Sequence, residues 1–128
     1  MSAKILLSVA FGGAFGAVMR YLMMSGVGHW LHAGFPYGTL LVNIIGSFAL
    51  GSIIEISGLV WSPSQEMRAF LVVGLCGGFT TFSTFSLDVF VLIERGHMAS
   101  AGLYITASVL LAVGGLYAGM HIFRQILT

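Results

Sequence analysis

Gly74-Leu75-Cys76-Gly77-Gly78-Phe79-Thr80-Thr81-Phe82-Ser83-Thr84-Phe85-Ser86 stands inside an apolar run, from Ala69 to about Ile93, that is long enough to cross a bilayer. Its glycines and hydroxyls are too many for an ordinary lipid-facing helix, and the helix is expected to break near Gly77-Gly78. Backbone amides and carbonyls freed at membrane depth find no partner in lipid, so such a break lines a cavity or holds an ion. The alternative is a kink cushioned by Thr and Ser side chains.

The rest of the chain agrees with a membrane setting. Of 128 residues, 58% are hydrophobic and 7% charged, whereas a water-soluble domain uses roughly 25% charged residues to cover itself. Soluble enzymes are excluded, and no nucleophile with an adjacent base is visible. The net charge of +1 comes from singly scattered basic residues, which form no phosphate-contacting stripe, so nucleic acid is not a partner. One cysteine, Cys76, excludes a disulfide within the chain.

Four stretches reach the roughly 20 apolar residues that a helix needs to span a bilayer. They place spans at about residues 4–25, 37–57, 67–93 and 98–123 of a single all-α, four-helix transmembrane domain covering residues 1–128. Breakers mark the joints: Gly34-Phe35-Pro36, Ser62-Pro63-Ser64 and Glu94-Arg95-Gly96. The first stretch lacks a small-residue cleavage site leading into a polar region and is read as a retained span. Gly12, Gly13 and Gly16, with Gly114, Gly115 and Gly119, sit at the small-xxx-small spacing of closely packed membrane helices.

With an even number of spans, Lys4, Arg68 and Arg124 fall on the side of the termini, and Arg20 and Arg95 near the other. Topology follows an excess of Lys and Arg in cytoplasmic loops, and three against two gives little instruction. The expectation is insertion in both orientations and an antiparallel homodimer with its axis in the membrane plane. The competing view is that so few charges carry no signal. In such a dimer the two breaks meet near mid-span, where carbonyls of both chains can enclose Na+ or a similar ion.

Polar and aromatic groups inside the spans suggest a path for an anion. Phe82 and Phe85, at i and i+3, share a helical face, and the positive ring edge of an aromatic accepts a weakly hydrated anion. Packing alone also explains such a stripe. Asn43 offers two amide donors one turn after Thr39, and Tyr104 and Ser108 offer hydroxyls at i and i+4. Bonding between helices is the other reading for these four. Arg20 either snorkels to the surface or draws anions to a pore mouth. Glu55 and Asp88 lie near span ends, which leaves no proton-relay group at mid-depth. His29, His32, His97 and His121 read as interfacial residues, not metal ligands.

Three motifs together are specific: Gly16-Ala17-Val18-Met19-Arg20-Tyr21, Gly38-Thr39-Leu40-Leu41-Val42-Asn43-Ile44-Ile45-Gly46-Ser47-Phe48, and Gly77-Gly78-Phe79-Thr80-Thr81-Phe82-Ser83-Thr84-Phe85. Over nearly its whole length the chain resembles the bacterial Fluc (CrcB-type) fluoride channel family. The resemblance implies a dual-topology antiparallel homodimer with two pores that exports fluoride passively across the bacterial inner membrane. It implies ring edges from Phe82 and Phe85, an amide donor from Asn43, and contributions from Thr39, Tyr104 and Ser108. It further implies a vestibule role for Arg20, and carbonyls of Gly77 and Thr80 around a structural Na+. The acidic residue that follows the phenylalanine motif in that family is here Asp88, of shorter reach. The alternative function is a small dual-topology multidrug exporter, against which the absence of a carboxylate in the first span speaks.

Overall fold

A computed structural model describes residues 2–30 and 34–128, the side chains at 28–30 excepted. Helix α1 covers Ala3–Trp30 and α2 covers Tyr37–Leu59. A third rod begins with α3, Gln65–Arg68, widens into a π-helical stretch, Ala69–Cys76, and continues through α4, Gly77–Phe79. Helices α5, Phe82–Glu94, and α6, Met98–Leu127, complete the chain. Four helical segments, Ala3–Val27, Tyr37–Leu59, Gln65–Glu94 and Met98–Leu127, are long and apolar enough to cross a membrane. All regular structure among the described residues is helical, and this is a multi-pass membrane architecture.

Local sequence sets the ends. Ser64 caps α3 by accepting the Met67 N–H at 3.1 Å, just after Pro63. Gly96 turns the chain from α5 to α6 with φ of 78°, a conformation open to glycine at no steric cost. The observed helices overrun the expected spans because a helix continues where its apolar stretch ends. Arg124, one residue past the expected limit of the fourth span, uses that extra turn to reach Glu55.

Packing follows two glycine-lined seams. Gly12 and Gly16 of α1 lie against the backbone of the third rod, at Phe70, Gly74, Leu75 and Phe79, and Gly115 and Gly119 of α6 lie against α2 at Ile44, Phe48 and Ser52. At Gly13 and Gly114, which carry the same spacing in sequence, a Cβ would point into open space. A buried cluster of Leu40, Leu92, Ala101 and Tyr104, with Phe35 and Phe85 against it, joins α2, α5 and α6. Large apolar side chains such as Phe11, Phe15, Leu22 and Leu110 point outward, as lipid contact requires.

Glu55 and Arg124 close the α2–α6 seam with two hydrogen bonds, of 3.2 and 3.1 Å. The carboxylate is 7% exposed and the guanidinium side chain 61%, so the partners are not equivalent. Arg124→Ala strands a buried carboxylate, which costs about 2 kcal/mol, while Glu55→Gln releases Arg124 to water. Thermal melting of the purified protein is expected to show the larger loss for Arg124→Ala.

Candidate ion pathway

The backbone of the third rod differs from expectation in the place where it leaves helical geometry. Gly77 is helical, with φ −63° and ψ −37°, and the extended residues are Thr80, with ψ 159°, and Thr81, with φ −152° and ψ 113°. A Cβ at Gly78 would lie 2.8 Å from the Gly13 carbonyl, so this glycine serves close approach to α1. Two β-branched threonines, which favour extended backbone, take the other part.

The polar groups of Thr80 and Thr81, the Thr80 carbonyl excepted, are met one by one. The Thr80 N–H and hydroxyl both donate to the Cys76 carbonyl, at 3.1 and 3.0 Å. The Thr81 N–H donates to Asn43 Oδ1 at 2.7 Å, and Asn43 Nδ2 donates back to the Thr81 carbonyl at 3.2 Å. Thr81 Oγ1 accepts the Thr84 N–H at 3.1 Å and so caps α5. This pattern has a consequence for two other atoms. In an uninterrupted helix the Thr81 N–H would serve the Gly77 carbonyl and the Thr84 N–H the Thr80 carbonyl. Both donors are committed elsewhere, and no other backbone N–H replaces them among the described residues.

A groove of about 350 Å³ opens beside these threonines, lined in part by Asn43, Gly77, Thr80, Phe82, Phe85 and Ser108. Six of the nine residues singled out in sequence for ion contact thus meet on one wall. Ser108 Oγ is buried without a partner. Phe82 is 77% exposed. The Phe82 and Phe85 rings lie 5.3 Å apart with planes at 44°, and Phe85 lies 5.2 Å from the Tyr104 ring. Of the two donors on Asn43, one is spent on Thr81 and one remains.

The other three stand apart from this groove. Tyr104 is fully buried and donates its hydroxyl to Asp88 Oδ2 at 2.9 Å. Thr39 lines a smaller recess with Asp88, Met24 and Phe35. Arg20 lines a third, with Tyr21, Met24, Ser25 and Thr84, and its Nε is buried without a partner. His97 precedes α6, His121 is exposed on that helix, and His32 lies outside the described residues. Sequence reasoning missed Thr81. The run Thr81-Phe82-Ser83-Thr84 before an apolar stretch carries the signal of a capping threonine. The Asn43–Thr81 and Tyr104–Asp88 pairings carry no local signal.

Comparison with known proteins finds a matching family and close relatives. A family model described as "CrcB-like protein, Camphor Resistance (CrcB)" matches residues 7–120. A protein of Rhodospirillum centenum named fluoride-specific ion channel FluC is 54% identical over 121 residues, 94% of this chain and 96% of the relative. A protein of the same name from Nitrobacter winogradskyi is 54% identical over 126 residues, 98% of this chain and all of the relative. Another from Geobacter sulfurreducens is 46% identical over 121 residues, 94% of this chain and 98% of the relative.

Proposed function

The chain belongs to the CrcB-like family, and from that premise we propose that it is a passive fluoride channel, not an enzyme, in the bacterial plasma membrane. The observation that carries the reading is the gathering of Asn43, Phe82, Phe85 and Ser108 on one groove, in a chain 54% identical to proteins named for fluoride conduction.

The groove is open on one side, and its most prominent aromatic, Phe82, is 77% exposed. A second copy, inverted about an axis in the membrane plane, covers it. The balance of Lys and Arg across the spans supports insertion in both orientations. Two-fold symmetry then makes two equivalent pores, one for each groove.

A small anion sheds most of its water in a narrow path only if fixed groups replace that water. The remaining Asn43 donor, the Ser108 hydroxyl and the edges of Phe82 and Phe85 do so without a fixed positive charge that would hold the ion too tightly. Tyr104 acts through its neighbours, bracing Phe85 with its ring and holding Asp88 with its hydroxyl. Thr39, beside Asp88, belongs to the same end of the path, and Arg20 attracts anions from its own recess. Fluoride enters as the neutral acid, ionises in a more alkaline cytoplasm and leaves through the pore down the membrane potential, so no coupled energy source is needed.

Each third span is broken at Thr80–Thr81, and in the antiparallel dimer the two breaks face one another near mid-depth. The released carbonyls of Gly77 and Thr80 are hard oxygen ligands, two from each chain, and suit a bare Na+. A cation held by these carbonyls would supply a fixed positive charge apart from the groove's own donors.

Fluoride release from liposomes reconstituted with the purified protein tests the function, with valinomycin to clamp charge and chloride-loaded vesicles as control. Rapid fluoride release with chloride retained is expected. Folded protein that releases no fluoride would defeat the reading and turn attention to exchange of cationic drugs.

A further inference from the structure

Asn43 holds the peptide of Thr81 from both sides, and its position in the network points to a role distinct from meeting the anion. Oδ1 takes the Thr81 N–H at 2.7 Å, and Nδ2 gives to the Thr81 carbonyl at 3.2 Å. These two bonds also settle which way the amide faces, since only the oxygen can accept from the N–H. The N–H so captured is the one that would return to the Gly77 carbonyl if the helix ran on. Thr81 performs the matching act at Thr80, because its hydroxyl takes the Thr84 N–H that would close on the Thr80 carbonyl. Gly46 makes room for this arrangement, since a Cβ there would run into the Thr80 methyl.

We propose that Asn43 is the positioning residue that keeps the Gly77 carbonyl free for the central cation, so that one side chain links the cation centre to the anion groove. This rests on the channel reading and its central Na+. Without the Asn43 acceptor, the Thr81 N–H recaptures the Gly77 carbonyl, and binding the cation must first break that hydrogen bond. Asn43 touches the cation nowhere in this scheme, yet cation affinity depends on it.

The test reads cation binding by thermal melting of the purified protein across a sodium series, with N-methylglucamine holding ionic strength constant. A ligand that binds only the folded state raises the melting temperature with a midpoint set by its affinity. Wild type is expected to gain stability with sodium, and Asn43→Ala to need about tenfold more sodium for the same gain, the factor one competing hydrogen bond carries. Asn43→Asp keeps the acceptor for the Thr81 N–H, though it loses the donor to the Thr81 carbonyl, and is expected to keep its midpoint nearer to wild type than Asn43→Ala does, while fluoride efflux is lost to the added negative charge. Asn43→Ser, whose hydroxyl is too short to reach the Thr81 peptide, carries the test if Asn43→Ala yields no folded protein. A merely structural role would shift none of the midpoints or all of them alike. A wild-type midpoint in Asn43→Ala or Asn43→Ser overturns the proposal alone. A wild type indifferent to sodium overturns the cation centre and the proposal with it, and failure of fluoride efflux in wild type with an intact sodium response would instead defeat the channel reading.

Discussion

Phe82→Ile is expected to lower fluoride efflux from reconstituted liposomes by at least about a hundredfold while leaving the protein folded, the change that follows from about 3 kcal/mol at the barrier. Phe82 stands 77% exposed at the wall of the groove that also holds Asn43 and Ser108. A side chain so exposed contributes little to the packing of its own chain, so its removal leaves the four-helix unit standing. Isoleucine keeps bulk and apolar character but lacks the positive ring edge. A fluoride ion that has shed water at this point then meets methyl groups, and an unpartnered charge in a dry site is expensive. Phe85 is the less decisive target, because its ring also braces against Tyr104 at 5.2 Å and belongs to the buried cluster around Leu40 and Leu92. Its loss therefore mixes conduction with stability. The two measurements to set side by side for Phe82→Ile are efflux rate and gel-filtration profile. Normal efflux would remove the aromatic edge from the mechanism.

How much of this was legible beforehand depends on the distance over which each feature is encoded. The four spans are written in runs of apolar residues, and their approximate limits follow from bilayer thickness alone. Helix ends are less legible, since α6 continues to Leu127 to bring Arg124 against a residue 69 positions earlier. The glycine pair at Gly77-Gly78 misdirects the eye. Glycine suits both an irregular backbone and a tight helix crossing, and only the presence of α1 against Gly78 decides for the second. Thr81 reads as an ordinary hydroxyl residue until Asn43, 38 positions away, is seen to take its N–H. The same holds for Asp88, whose partner Tyr104 lies on the next helix. Chemistry that depends on residue type along one helix face is local and readable. Chemistry that depends on which donor is already spent is a property of the folded network.

Gly16→Val is expected to abolish recovery of folded protein, whereas Gly13→Ala, only three residues away in the same span, leaves it unchanged. A Cβ at Gly16 would press into the Leu75 carbonyl and stand 2.8 Å from the Phe79 nitrogen. Both are backbone atoms of the third rod, and neither can rotate aside as a side chain would. Lipid offers no hydrophobic drive to hold membrane helices together, so the α1 seam depends on this closeness. Overpacking a site that cannot yield costs about 3 kcal/mol or more, a large part of the stability of a small domain. The third rod also carries Thr80 and Thr81, so pushing it from α1 disturbs the hydrogen bonds to Asn43 that define the groove wall. A Cβ at Gly13 would meet nothing within 4 Å, and alanine favours helix by about 1 kcal/mol over glycine. Yield of monodisperse protein after detergent extraction separates the two outcomes. Equal yields from Gly16→Val and Gly13→Ala would mean that α1 does not hold the third rod at this seam, and the support it gives to the groove wall at Thr80 and Thr81 would fall with it.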